Sequence, residues 1–245
     1  MIAMINSLSK VNPKDTGSAY ARRQGASGAV PYGGKVSSKD LSWRYAEDYV
    51  HESPAIASAR AHSLELGVDP VSPAVGAQLA VLAAASTVHS ILEIGTGAGV
   101  SGLWLLTGAP DAILTSIDIE YDHQQAARTA FADAEVPANR IRLITGSAHE
   151  VLPRMNDGAY DLVLVDADAA SVLDYVEHGL RIARKGGLVL IARALWKGRV
   201  ADPAQRDATV ADYRALLATI GESTAVQASL SLAGDGLLQV VKLSD

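Results

Sequence analysis

Three glycines fall within five positions in Glu93-Ile-Gly-Thr-Gly-Ala-Gly99, directly after a short apolar run and before a helix-like one. Glycines there allow a tight turn and let a ligand approach the backbone, while the following helix start offers unpaired amides. The spacing is G-x-G-x-G, one place tighter at the third glycine than a G-x-G-x-x-G dinucleotide loop. Such a turn alone is a weak signal. Glu93 sharpens it, because a carboxylate at the strand tip repels a pyrophosphate and suits a cationic ligand such as a sulfonium or an amino group. The next acid, in Ile117-Asp-Ile-Glu120, follows the second strand. There Asp118 can accept both hydroxyls of a ribose; capping the next helix is its other available job. Loop and acid together point to a nucleoside-type cofactor. Asp166 and Asp168 follow a fourth strand, two residues apart, at the rim where open α/β sheets hold ligands. Three jobs are open to them: metal ligation, contact with a cofactor amino group, or capping. Capping accounts for one at most.

These residues need a frame. Ser90–Ile94, Ile113–Ile117, Ile141–Ile144, Tyr160–Val165 and Gly187–Ala192 have the composition of short buried strands, and helical stretches lie near Gly99–Leu106, Asp122–Ala134, Ala170–Ile182 and Asp207–Ile220. That alternation predicts a parallel sheet with helices on both faces. Two last runs, Ala225–Leu230 and Leu237–Leu243, have no helix between them and should pair antiparallel at one edge. Upstream, helical spacing runs over Leu41–Val50. Ser53-Pro54 and Ser72-Pro73 look like N-caps followed by proline at the first helical position, opening a helix to about Leu66 and another with apolar Val75, Leu79 and Leu82. Residues 1 to about 40, rich in Gly, Ser, Lys and Asn, read as a tail ahead of a domain over 41–245, in which 41–88 are helical and 89–245 carry the sheet.

The segments Glu93–Gly99, Asp118, Val165-Asp-Ala-Asp168, Lys185-Gly-Gly187, Ala194-Leu-Trp196, Gly198-Arg-Val-Ala-Asp202 and Gly234-Asp-Gly236 occur in order between about Val71 and Leu243. In combination they resemble the cation-dependent O-methyltransferases related to catechol and caffeoyl-CoA methyltransferases. The resemblance implies a Rossmann-like class I fold. Its sheet would be seven-stranded and mostly parallel, with an antiparallel C-terminal strand and helices on both faces. It also implies S-adenosylmethionine (SAM) as methyl donor, a small hydroxylated acceptor, and a homodimer whose N-terminal helices help form the acceptor pocket. By matching positions, Val71, Glu93, Gly95, Thr96 and Ser101 would hold the methionine end of SAM, with Gly97 in the same loop. Asp118 would hold the ribose, and Ile119 would pack on the adenine. Ser147 and Ala148 would also line the adenine site, Ser147 offering a hydroxyl where the family often has an acid. Asp168 would contact SAM, and Trp196 would wall the acceptor pocket, although a tryptophan packed within its own loop is a competing reading.

The resemblance would make Asp166 a metal ligand beside an Asp-Asn pair after the fifth strand, but here that pair reads Ala192-Arg193. Alanine offers no side-chain oxygen and arginine has five donors and no acceptor. One remaining carboxylate is a poor Mg²⁺ site, so no tightly bound metal is expected. The family's catalytic lysine after Asp-Ala-Asp is replaced by Ala169. Lys197 could reach the pocket from a neighbouring loop, with a solvated surface lysine as the default. Asp166 and Arg193 are therefore the candidate catalytic pair: a guanidinium on Asp166 could orient the acceptor oxygen electrostatically in the cation's stead. Tyr175 and His178 read as structural or exposed, and Trp104 as core.

Other classes are excluded or disfavoured. With no cysteine among 245 residues, disulfides, thiolate catalysis and zinc-thiolate sites are out. A formal charge of -6 with no basic stretch argues against nucleic acid. The most apolar stretch, Leu79–Val88, is about half a membrane span, and no apolar run follows Arg22-Arg23, so a soluble cytoplasmic protein is expected. Besides a methyltransferase, two readings stand: a SAM-binding dimeric sensor or scaffold without turnover, and a nicotinamide oxidoreductase. The glycine spacing, Glu93 and the antiparallel end all disfavour the last.

Overall fold

The computed structural model describes residues 38–244. Most of the expected tail, residues 1–37, lies outside them; Ser38–Asp40 already belong to a helix. Three helices come first: α1 (Ser38–Tyr49), α2 (Pro54–Glu65) and α3 (Pro73–Ala85). Serine caps open the last two. Ser53 accepts from the Ile56 amide at 3.3 Å and Ser72 from the Val75 amide at 3.4 Å, each with proline at the first helical position.

Strands and helices then alternate: β1 (Ser90–Ile94), α4 (Val100–Gly108), β2 (Ile113–Asp118), α5 (Tyr121–Asp133), β3 (Ile141–Thr145), a one-turn α6 (Ala148–Val151), β4 (Tyr160–Val165), α7 (Val172–Ile182), β5 (Ala183–Ile191) and α8 (Ala208–Glu222). A hairpin of β6 (Val226–Ser231) and β7 (Leu237–Lys242) closes the chain. The seven strands lie in the order β3-β2-β1-β4-β5-β7-β6. Pairings are parallel from β3 to β5, while β7 runs antiparallel to both β5 and β6. The expected fold class is the observed one, down to the antiparallel hairpin at the edge.

Both sheet faces are covered, so the central strands are apolar at nearly every position. Along β4, Leu162 and Leu164 face a core shared with α2–α5, whereas Val163 and Val165 face one shared with α7 and α8. Strand order reverses between β1 and β4, and a crevice opens at the carboxyl edge of a parallel sheet at such a point. The glycine loop, Asp118, Asp166–Asp168 and Arg193 all follow strands that end there.

Two boundaries differ from expectation. β5 begins four residues before Gly187, with a register shift between its Tyr160 and Leu162 partners. α7 begins at Val172, behind a separate 3-10 turn over Ala169–Ser171.

Candidate active site

The glycine loop is held from beneath. Gly95, Gly97 and Gly99 have φ of 96°, 50° and 89°, the left-handed region that glycine enters without a Cβ penalty. At Gly95 a Cβ would lie 2.1 Å from the Asp166 carbonyl oxygen, so only glycine lets the loop pass that close to the β4 end. Asp118 ties the loop to β2: one carboxylate oxygen accepts from the Thr96 amide (3.0 Å) and the Gly97 amide (2.9 Å). Its other oxygen accepts from the Glu120 amide at 2.9 Å and lies 3.3 Å from His123 Nδ1. The Thr96 and Gly97 amides of the loop are therefore already satisfied.

Glu93 lies beneath the loop. It is fully buried and lies on neither cavity wall described below. Its carboxyl oxygens accept from Ser101 Oγ (2.5 Å) and Ser116 Oγ (2.6 Å). Ser116 continues the chain to Thr96 Oγ1 (2.6 Å), and Gln124 donates to Thr96 Oγ1 at 2.9 Å. Burial, offset in part by the two serine bonds, pushes the Glu93 carboxyl up to about 7. Glu93 braces the loop through Ser101 and Ser116.

Two cavities flank the loop. One of about 340 Å³ is lined by Asp118, Ile119, Ser147, Ala148, His149 and Tyr175, among others, and has the character of a nucleoside seat. The other, about 310 Å³, is lined by Val71, Thr96, Ser101, Arg193, Trp196 and Lys197, among others. Val68, Gly95, Gly97, Asp166, Ala167 and Asp168 wall both, so the two are halves of one cleft. Every candidate residue from the sequence except Glu93 is on its surface. Ile119 is 67% exposed there, an apolar side chain with an open face. Ser147 precedes α6 as its N-cap residue without a side-chain cap bond.

Asp166 and Asp168 take different jobs. Asp168 caps the 3-10 turn through the Ser171 amide (3.1 Å) and accepts from Tyr175 Oη at 2.6 Å. Tyr175, expected to be merely structural or exposed, is buried against the cleft; burial and then the Asp168 bond push its phenol up to about 12. His178 lies away from the cleft, 3.9 Å from Asp174. Asp166 instead pairs with Arg193, Nε to Oδ1 at 2.8 Å. Burial raises the Asp166 carboxyl despite that cation. Arg193 also reaches the loop between α2 and α3, with a nitrogen 2.9 Å from the Asp69 carboxylate and another donating to the Asp69 carbonyl. It thus joins Asp166 in the cleft to Asp69 at the surface, whose side chain is 77% exposed.

A divalent cation does not fit these donors. Asp166 already receives a guanidinium, residue 192 is alanine, and among the described residues no group of three His, Cys, Asp or Glu could hold a metal ion. Trp196 both walls the cleft and stacks on Tyr213, ring centroids 5.7 Å apart at 15°. Arg193, Trp196 and Lys197 all have positive φ, between 47° and 57°.

The sequence profile of an O-methyltransferase family matches residues 51–243. The chain belongs to that family. A "Probable O-methyltransferase" of Mycobacterium tuberculosis is 45% identical over 201 residues, covering 82% of this chain and 90% of that protein. The O-methyltransferase TomG of Streptomyces achromogenes, solved in complex with SAM, superposes with a TM-score of 0.75 at 27% identity, over 85% of this chain and all of that one. A Corynebacterium glutamicum protein gives 0.78 at 26%, over 85% and 99%. Residues missed by sequence reading are Val68, Asp69, His123 and His149. Only His123, five residues after Asp118 on the next helix, carried a local signal.

Proposed function

We propose that this chain is a SAM-dependent O-methyltransferase that acts on a small hydroxylated acceptor without a bound divalent cation. The observation that carries this reading is the Arg193 guanidinium seated on Asp166 at the end of a cleft with a nucleoside-shaped half. The residues present suit SAM. The acids Asp118, Asp166 and Asp168 match a cation and sugar hydroxyls, the apolar Ile119 offers a face to a base, and the family relative from Streptomyces was solved with SAM. When bound, SAM supplies the methyl group on a sulfonium.

This chain's residues do the rest. Asp118 accepts ribose hydroxyls by giving up its long His123 contact. Ser101, set by buried Glu93, and Val71 hold the methionine end, and Asp168 receives the amino group. Arg193 uses three of its five N–H groups on Asp166 and Asp69, leaving two to orient the acceptor oxygen. In-line displacement gains much from positioning alone. Family membership and the continuous cleft favour turnover over a silent sensor, and the antiparallel β7 weighs against a nicotinamide enzyme. No described helix is long and apolar enough to cross a membrane. A cytoplasmic homodimer completes the reading; the dimer is supported by the family resemblance and by exposed Leu41 and Tyr49 on α1.

Labelled methyl transfer from SAM to a panel of phenols, with and without Mg²⁺, tests this. Turnover unchanged by Mg²⁺, and lowered about 10–100-fold in Arg193→Ala (~1.4–2.8 kcal/mol), is expected. Stimulation of the unmutated protein by Mg²⁺, or calorimetric binding of NAD in preference to SAM, overturns it.

A further inference from the structure

A third cavity, of about 480 Å³, shares no wall residue with either half of the cleft. It is formed by the start of α2, the end of α4 and the chain that leads from the end of α5 into the 3-10 turn before β3. Buried Ile56, Leu103 and Leu106 and half-buried Val136 make much of its wall apolar. Its volume is in the range common for small-molecule sites.

Three charged side chains line the same cavity: Arg140, Asp133 and Glu135. Opposite charges thus share one wall without pairing with each other, and among the described residues none of the three has any ion-pair partner. Nothing described accepts a hydrogen bond from the Arg140 guanidinium either, and its Nε is buried. A guanidinium half-withdrawn from water with no acceptor is costly, and such a group in a folded protein calls for an explanation.

Glu135 stands in an equally exposed role on a strained backbone. Its amide donates to the Ala132 carbonyl and the Val136 amide to the Phe131 carbonyl, both at 2.9 Å, a pair of bonds that ends α5 on a left-handed residue. Glutamate occupies that place with a φ of 58°, where glycine would fit at least cost.

The charges decide which ligand suits the hollow. A polyanion such as a nucleotide meets two carboxylates against one guanidinium and is repelled. An amine leaves Arg140 unpaired, and a hydrocarbon leaves all three charges so. One carboxylate, one ammonium and an apolar body engage every group. The carboxylate pairs with the terminal nitrogens of Arg140, the ammonium faces Asp133 and Glu135, and the body lies on Ile56, Leu103 and Leu106.

We infer that this cavity binds an apolar α-amino acid of about leucine's size as its zwitterion, at a site separate from the methyl-transfer cleft. L-Leucine is the probe, titrated calorimetrically into the full chain with S-adenosylhomocysteine present to fill the methionine half of the cleft. It should bind with a Kd of about 1 mM or tighter. The same molecule without its ammonium (4-methylpentanoate) or without its carboxylate (3-methylbutan-1-amine) should bind about 10-fold more weakly or worse. Arg140→Gln should weaken leucine by about 10-fold while leaving SAM affinity unchanged, and since no protein group accepts from Arg140, melting should not fall. Asp133→Asn combined with Glu135→Gly should bring leucine down to the level of 4-methylpentanoate. Glycine relieves the positive φ there, so misfolding does not explain that loss. Leucine that does not bind, 4-methylpentanoate that binds as tightly, or leucine binding unmoved by Arg140→Gln overturns the assignment, whatever the result with SAM.

Discussion

Burial pushes the Glu93 carboxyl up to about 7, and the side chain is closed off from the surface. Folding shifts it from 4.5 to about 7, so between those values the folded chain binds a proton that the unfolded chain releases. Stability attributable to this group is therefore largest below pH 4.5 and falls as pH rises through 7. Glutamine keeps the shape and removes the charge, and the Ser101 and Ser116 hydroxyls can turn to suit an amide. Glu93→Gln should stabilise the protein at pH 8 by roughly 1–3 kcal/mol, with little gain at pH 5. Urea unfolding at the two pH values measures this, and an equal effect at both would argue against a buried carboxylate. The residue also marks what the sequence could reveal. Its position beside the glycines was legible; its direction was not, because Ser101 and Ser116 come from α4 and β2 and only the fold joins them. The Asp166–Arg193 pair was anticipated from the missing metal ligands, whereas Asp69, 124 residues from Arg193, carried no local sign of its part.

Elements were easier to read than their contacts. Periodic segments with serine and proline at their starts gave α2 almost to the residue and the start of α3, since capping is local chemistry. β5 was read too short because Lys185-Gly-Gly187 looks like a turn, yet a register shift carries the strand through it. Close helix packing is a further silent feature. At Gly108, the last residue of α4, a Cβ would sit 1.9 Å from the Ala80 carbonyl oxygen of α3. Two effects then compete in Gly108→Ala. Alanine improves helix propensity by up to about 1 kcal/mol, while a clash with backbone pushes the helices apart at about 1–3 kcal/mol. The contact is with main chain that cannot swing aside, so the clash should win at this helix end, where propensity counts least. Calorimetric melting should fall by about 2–10 °C; an unchanged or higher melting temperature would mean that α3 and α4 yield.

At the scale of the molecule, α2 and α3 share the apolar core of the sheet, and polar contacts tie the helices before the sheet to it further. Arg193 ties the loop after α2 to the end of β5. Glu47 on α1 accepts from Ser72 Oγ (3.0 Å), the Ala74 amide (3.2 Å) and the Gly234 amide (3.1 Å), so one carboxylate joins α1, the start of α3 and the turn before β7. α1 buries no residue of its own, and Leu41 and Tyr49 are 54% and 74% exposed. Twelve residues are too few for a helix to persist in water on propensity, so packing has to maintain it. A second copy of the chain supplies that packing in the homodimer proposed above. Sedimentation velocity should then give a species of twice 25.5 kDa. Replacing Leu41 and Tyr49 together by glutamate should weaken dimerisation at least 10-fold, about 1.4 kcal/mol, while leaving the melting of the sheet domain nearly unchanged. A monomer at every concentration of the unmutated protein removes the dimer and leaves α1 to be covered from within its own chain. A dimer indifferent to the two glutamates moves the interface to another face, and with it any contribution of a partner subunit to the acceptor pocket.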